Sequence, residues 1–437
     1  MNLQNNFTKQ AEDLQEVLNN RDKKIQGKLP EELEEIAKQT GSVNRKRGIK
    51  TAGDLLKMLF LYACCNISFR IPALASSVLG IAEISDTAWK KRFQKAVPFL
   101  QEILHRKLKH LIACENTSVQ MTVKLVDGSI VRQSGALQSQ QRIHMCYNLN
   151  ENTMEQIRVT DLHTAESLSV FCMHKGDLIL ADAGYGKAAN YLEARRQGAD
   201  VILRITPSHI SVYDADGNKL SILDRIKEAK NNGEDIIEMW GFCKYQGEEE
   251  FVRVIAKKLS KEQEDKARKR KLRRAQKNQQ QIKEDTLFCA GYLILITSLG
   301  AEYSPEEIFH LYQSRWQVEL LFKRFKQNFS VTLIKAGSAS YAEAMVLLWL
   351  IIWTIAEQQA FLGDCFLYQK NTQEFIFSVY EKCKLTFLQI REILCLSRTL
   401  FLDLSDPKYL RFIRQAKRTR INQNFEFHSS ILPALFL

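Results

Sequence analysis

The sequence predicts an α/β fold with a mixed sheet, flanked on both sides by helical regions. Three observations predict it. Near Thr122 the apolar period changes from 3.6 to that of strands. Three strand-like runs in succession are then followed by a strand–helix–strand alternation. Between about Pro207 and Asp285 this pattern is interrupted by short strand-like pieces and a charged stretch before a last strand returns. At 437 residues, 45% hydrophobic and 26% charged, the chain is long enough for two or three domains with a sizeable core.

Residues 1–118 read as a helical region. After a polar start, Pro30-Glu31-Glu32 marks a helix start, and an apolar helix is expected from about Ala52 to Cys65. The next stretch reads as helix, glycine turn, helix: Pro72 opens the first, Gly80 closes it, and Ser85 caps a second that bears Lys90, Lys91, Arg92 and Lys95. A helix-turn-helix presents a basic second helix to the major groove in this way. Two packed helices with a solvated cationic face would read the same, and Trp89 and Phe93 are expected in the core.

Residues 119–206 carry the first half of the sheet. Val123–Arg132 is a β-branched run containing Asp127, followed by strands at 142–149 and 154–162. A helix is expected over 164–173. Then D-L-I-L-A-D-A-G-Y-G-K gives a buried strand that ends at Asp182, the next helix closes on Gly198, and D-V-I-L-R-I makes a fifth strand.

Residues 207–286 read as a β-rich basic insertion, with Asp216-Gly217 as a turn. Lys257–Lys283 holds twelve basic residues against three acidic ones, a net +9 of the chain's +12. A solvated helix could look like this, but such concentration favours phosphate contact.

Residues 287–345 restore a strand (Y-L-I-L-I-T-S-L) and then a helix read as continuous from Ser304 to Phe329. Ser304 as N-cap, Pro305 at the first position and Glu307 three residues after the cap form a capping box. Within one helix, Tyr312, Arg315, Glu319 and Lys326 fall on an arc of about 60°. Residues 346–437 read as helical, with a basic cluster at Lys417-Arg418-Thr419-Arg420.

The net charge favours a polyanionic partner, either nucleic acid or a membrane surface. The first residues lack an apolar signal core, and the most apolar run, Met345–Ala356, is shorter than the roughly 20 residues of a spanning helix. A cytoplasmic protein with no membrane association is expected. Ten cysteines without a C-x-x-C pair read as buried thiols in a reducing compartment and argue against a zinc site.

Three acids stand out together. Magnesium prefers oxygen ligands, and two ions about 3.5–4 Å apart can activate an attacking oxygen and stabilise a leaving one. Asp127 and Asp182 on strands and Glu319 on a helix beside the sheet would supply such ligands. Asp161, Glu166 and Asp177 lie near the same sheet but read as strand-end or capping residues, and an Asp-Gly pair such as Asp127-Gly128 is most often a turn.

Three motifs then carry a resemblance. V-D-G-S at Asp127, A-D-A-G-Y at Asp182 and Y-(2)-R-(3)-E-(6)-K at Tyr312, Arg315, Glu319 and Lys326 resemble, in order, the motif regions of DDE transposases of bacterial insertion sequences, in the insertion-sequence-four family. The second departs at Ala183, where a basic residue is common. The resemblance covers about Arg45 to Ala360. It implies a ribonuclease-H-like fold with a mainly β insertion, metal ligation by Asp127, Asp182 and Glu319, and two Mg²⁺ ions for which Mn²⁺ can substitute. It also implies double-stranded DNA as partner, both the element's terminal inverted repeats and the target, and a homodimer on paired ends. Tyr312, Arg315 and Lys326, with Lys323 beside them, would hold phosphates. Some relatives pass through a hairpin, which needs a flipped base held on an aromatic ring, and Trp240 is the candidate. Two rival readings are a non-catalytic DNA-binding protein derived from a transposase and a structure-specific nuclease on the same fold.

Overall fold

The computed structural model describes residues 29–370 apart from 44–47, 66–68, 70–71, 74–75, 78–79, 113–120, 134–139, 152, 162, 330–332 and 335–337. The helices expected after residue 370 and the basic cluster at 417–420 lie outside the described residues. The N-terminal region supplies α1 (Leu33–Gln39), α2 (Ala52–Cys65), α3 (Asp86–Lys95) and α4 (Val97–Ile112). Ser85 caps α3 as expected, its side chain accepting from the Ala88 N–H, and Trp89 and Phe93 are buried. Gly80 takes the left-handed conformation (φ 64°) that a helix-ending glycine supplies. The helix expected before it falls partly outside the described residues.

The sheet begins with β1 (Thr122–Gln133), β2 (Gln140–Asn148) and β3 (Thr153–Asp161), an antiparallel meander. Next come β4 (Asp177–Ala181), α5 (Ala188–Arg196) and β5 (Asp200–Arg204), with β1, β4 and β5 parallel. All five residues of β4 are buried, as a central parallel strand requires. The helix expected over 164–173 is replaced by a single 3₁₀ turn, Leu168–Val170. There the buried Asn190 of α5 accepts from the Leu168 N–H (2.9 Å) and the Ser167 hydroxyl (3.2 Å), so a side chain takes the bonding that would open a helix.

The stretch 207–286 does not stand apart as a mainly β insertion. Its strands β6 (Val212–Tyr213) and β7 (Lys219–Leu220) precede α6 (Ile222–Asn231), which the sequence reading missed. They are followed by β8 (Ile236–Tyr245), β9 (Glu248–Lys258), α7 (Lys261–Lys277) and α8 (Glu284–Cys289). The β8–β9 hairpin turns through Gln246 (φ 51°) and Gly247 (φ 85°), the two left-handed residues of a type I′ turn. After β10 (Tyr292–Thr297) come α9 (Pro305–Gln313), α10 (Trp316–Phe329), β11 (Leu333–Ile334) and α11 (Ala339–Lys370). Among the described residues, all eleven strands form one sheet in the order β3-β2-β1-β4-β5-β10-β9-β8-β6-β7, with β11 on β1.

Each face of this sheet has its own apolar core. On one, Leu125, Leu180, Ile202 and Leu295 meet α10, α11 and the N-terminal helices. On the other, Val126, Ala181 and Leu203 meet α5 and α6. The alternation of Leu125 with Val126, and of Leu180 with Ala181, is the two-residue period of a strand covered on both sides. The apolar part of α11 is longer than the run read from sequence: Ala339–Ala356 is long and apolar enough to cross a membrane, yet 83% of it is buried inside the protein. Trp353 packs on Phe325 with ring centroids 5.0 Å apart, and the Trp349 indole N–H donates to the Ala63 carbonyl (3.1 Å), so α11 joins α2 to α10.

On the α5 side, Lys124 Nζ is buried between Glu155 Oε2 (2.8 Å) and Asp177 Oδ2 (3.0 Å). Asp161, expected as a cap, accepts from the Thr164 N–H (3.0 Å). Removing one member of a buried ion group strands the others, so Lys124→Met is expected to destabilise the fold by about 3–5 kcal/mol, read as a shift of the urea midpoint. A change under about 1 kcal/mol would mean that Glu155 and Asp177 are held by other means.

Candidate active site at the carboxyl ends of parallel strands

Register places the first two acids. β1 pairs with β4 so that Val126 lies opposite Ala181, and the next residue on each strand is Asp127 and Asp182. Both carboxylates therefore leave the sheet on the face of Leu125 and Leu180, on neighbouring strands. Asp127 is not in a turn: β1 runs on to Gln133, paired with β2 through His144 and Ile143. The Gly128 N–H donates to Asp127 Oδ1 (2.8 Å), and the Ala183 N–H donates to Asp182 Oδ1.

The third acid comes from a helix pair, not from the single helix expected. Ser304 and Glu307 form the predicted capping box of α9, but the chain breaks at Ser314-Arg315 before α10 begins. At the break the Ser314 hydroxyl donates to the Leu311 carbonyl (2.6 Å), and the N–H groups of Ser314, Arg315, Gln317 and Val318 bond three residues back instead of four. Tyr312 thus sits at the end of α9 and Glu319 in the first turn of α10. The shared face on one helix is lost, yet the residues still meet. The Tyr312 hydroxyl points to the Ala181 carbonyl at the end of β4 (3.4 Å), and Arg315 donates to Glu319 Oε1 with its guanidinium 5.9 Å from the Tyr312 ring centre.

The three acids act on one another through their charges. Burial pushes the Asp127 carboxyl up to about 6, with Asp182 and Glu319 adding to it and Arg315 opposing it. Burial also raises the Tyr312 phenol, which stays protonated and a donor. Among the described residues no three His, Cys, Asp or Glu side chains converge on one point. Glu319 is held by Arg315, while Asp127 and Asp182 face the same space. Two adjacent carboxylates, one of them desolvated and reluctant to ionise, are a donor set that fits a hard divalent cation, which commonly takes one or two carboxylates and completes its shell with water and phosphate.

Other predicted residues fall at different distances. Lys323 is exposed on α10, and Lys326 is partly buried one turn from its end. Lys90 and Lys91 are exposed on α3, with Arg92 partly buried against Gly48. Trp240 lies on β8, five strands from β1, or about 24 Å at about 4.8 Å per strand. Phe251 stacks on it at 5.5 Å, and the Arg253 guanidinium lies 4.9 Å from its ring centre.

Three features escaped the sequence reading. Arg204, the last residue of β5, stands next to Asp182 by the pairing of Leu203 with Ala181, and its charge is felt by both Tyr312 and Lys271 of α7. The basic helix therefore reaches the edge of the site. Trp316 is exposed at the start of α10, beside Arg315. Glu166 lies against Gly128 and Gly184, which follow the two aspartates by one and two residues.

Comparison with known proteins finds relatives among the proteins of bacterial insertion sequences. The InsL protein for insertion sequence element IS186A of Escherichia coli strain K12 is 27% identical over 322 residues, covering 72% of this chain and 87% of its own length. The transposase for insertion sequence element IS421 of Escherichia coli is 27% identical over 323 residues, with the same coverage. The transposase for insertion sequence element IS231B of Bacillus thuringiensis subsp. berliner is 24% identical over 387 residues, 79% of this chain and 80% of its own length. The transposase DDE domain matches residues 119–355, which hold all three acids and more than half of the chain, so the protein belongs to the DDE transposases, enzymes that cleave and transfer DNA strands.

Proposed function

We propose that the protein hydrolyses the phosphodiester at the ends of an insertion element and joins the freed 3′-OH to target DNA, on a ribonuclease-H-like sheet carrying Asp127, Asp182 and Glu319. The observation that carries this reading is the pairing of Val126 with Ala181, which sets Asp127 beside Asp182, with Glu319 and a partly buried arginine close enough for their charges to act on Asp127. Asp127, Asp182 and Glu319 would hold Mg²⁺, in two ions with Mn²⁺ as a substitute, and the bound metal would activate the attacking oxygen and neutralise the leaving one.

The remaining roles belong to the chain's own groups. Arg315 holds Glu319 through a charge-assisted bond, and a phosphodiester is an equally good match for a guanidinium fork. DNA would draw Arg315 onto the phosphate and release Glu319 towards the aspartates. Lys323 and Lys326 continue the cationic side of α10, the Tyr312 phenol supplies a neutral donor, and Trp240 would receive a flipped base if a hairpin forms. The partner is double-stranded DNA, the terminal inverted repeats and the target, bound by a homodimer on paired ends in the cytoplasm. Lys90, Lys91 and Arg92 on α3 would contact DNA as the second helix of a helix-turn-helix. Arg204 and Lys271 link the site to α7, whose Lys269, Arg270, Arg273, Arg274 and Lys277 are exposed.

The test is a Mn²⁺ or Mg²⁺ assay on duplex carrying the element's own terminal repeats. Wild type is expected to cleave and join, and Glu319→Gln to bind ends while losing at least about 10³-fold in rate. Binding without cleavage in both proteins would replace this reading with the non-catalytic one. Cleavage without joining would favour a nuclease.

Two further outcomes follow from the charges. Because folding raises the Asp127 carboxyl from 3.8 to about 6, its contribution opposes stability increasingly as pH rises through that window, and a cation must displace its proton below about pH 6. Mn²⁺ affinity of the DNA-free protein is expected to fall about tenfold between pH 7 and pH 5. Titration calorimetry finding a flat profile would remove Asp127 from the ligands. Replacing Lys269, Arg270, Arg273 and Arg274 by serine should lower the slope of log K against log salt by about 0.9 for each phosphate that is no longer neutralised. An unchanged slope would leave α7 as a solvated helix.

A further inference from the structure

The glycines beside the two aspartates have no conformational reason to be glycine. Neither Gly128 nor Gly184 has a positive φ, and Gly128 lies inside the continuous strand β1. What they provide is space, and one side chain fills it. A Cβ on Gly184 would collide with Glu166 Oε2 and stand 3.0 Å from its Cδ. A Cβ on Gly128 would lie 3.3 Å from both Glu166 Cγ and Oε1. By strand alternation Gly128 faces the side of the sheet opposite the Asp127 carboxylate, so Glu166 sits behind the two aspartates.

Two more observations make this a built arrangement. The Asn190 side chain, 3% exposed, holds the neighbouring backbone: its Nδ2 donates to the Tyr185 carbonyl (2.9 Å) and the Glu166 carbonyl (3.4 Å), while its Oδ1 accepts from the Leu168 N–H. The Tyr185 hydroxyl, fully buried, points into the same space, 3.4 Å from the Cβ position of Gly128, and has no hydrogen-bond partner among the described residues. A buried donor without an acceptor, next to a carboxylate, lies directly behind a strand that bears a metal ligand.

We propose that Glu166 is a positioning and charge-supplying residue of the metal site, seated behind Asp127 and Asp182 in a slot that Gly128 and Gly184 leave open and that Tyr185 closes. It fixes the separation of the two strand ends and adds a negative charge that a divalent cation feels without being ligated by it. The inference rests on the metal-site reading above.

The experiment is Mn²⁺ titration calorimetry on the full chain without DNA, with thermal melting of the metal-free proteins. It uses wild type, Asp127→Asn, Glu166→Gln, Gly184→Ala and the double variant Glu166→Gln/Gly184→Ala. Glu166→Gln keeps the volume and removes the charge, and is expected to bind Mn²⁺ about tenfold or more weakly with an unchanged metal-free melting temperature. Gly184→Ala should show a similar loss, because the added methyl meets the flexible end of Glu166 and displaces it. The double variant should be no weaker than the worse single one, since both act through one carboxylate. Wild-type affinity in Glu166→Gln, or losses that add in the double variant, would overturn the proposal. No Mn²⁺ binding sensitive to Asp127→Asn in the wild type would remove the metal-site reading and this inference with it.

Discussion

The site depends on a single register. Neighbouring parallel strands stand about 4.8 Å apart, and the pairing of Val126 with Ala181 sets the next residues, two aspartates, side by side at that spacing. Like charges so placed, one of them largely out of water, oppose folding, and the chain offsets this locally. Backbone N–H groups of Gly128 and Ala183 bond to the carboxylates, and the Arg315 guanidinium faces them. A pair under such tension can be held only by strands that do not slip. The two apolar cores and the fully buried β4 meet that need, because a one-residue slip would move Leu180 and Ala181 each to the wrong face.

The helix break at Ser314-Arg315 serves the same arrangement. In a straight helix Tyr312 and Glu319 would point along one stripe at a fixed separation. The break lets α9 end against β4, where Tyr312 reaches the Ala181 carbonyl, while α10 starts again over β1. Arg315 lies at the corner and can reach both Tyr312 and Glu319. The spacing of these residues was legible in the sequence but the break was not. Nothing in S-R-W-Q is a strong helix breaker, and the turn depends on a serine hydroxyl taking a carbonyl that a continuing helix would have used.

Strands β1, β4, β5 and β10 were legible because each carries a short apolar run, β-branched in β1, and the α9 start because a capping box is a local signal. The failures share a tertiary cause. The stretch over 164–173 has helical spacing, but Asn190 from another element takes its first N–H. The expected β insertion is an extension of the main sheet, since the pairing of β9 with β10 joins chain segments that sequence keeps apart. Helix α6 is ten residues with three buried positions, too few to stand out beside the strands around it. At the site, the three acids could be found by residue type and motif, whereas Arg204 and Glu166 become neighbours of the aspartates only through strand pairing and a loop held by one asparagine. Gly128 and Gly184 were the visible trace of Glu166, but in the sequence they resemble turns.

The basic helix α7 poses the remaining question of why the chain keeps it. It buries no residue, so no core rewards its formation, and an isolated helix of this length is marginal in water. Its capping box at Ser260 and Gln263 and its ion pairs all lie in the first half: Lys261 with Asp265, Lys266 with Glu262, Arg268 with Glu264. From Lys269 to Lys277 six cations follow with no acid among them, and like charges at helical spacing weaken the helix they sit on. The segment is nonetheless fastened to the fold, by Arg268 donating to the Leu287 carbonyl (3.2 Å), and burial together with the nearby Arg204 charge disfavours the charged form of its Lys271. A polyanion laid across Arg204 and α7 would relieve that repulsion at many points together. On this view the cations at the rim answer the acids at the centre: the rim would draw in a phosphate backbone, and the centre, rich in negative charge, would need a divalent cation before it could accept that backbone.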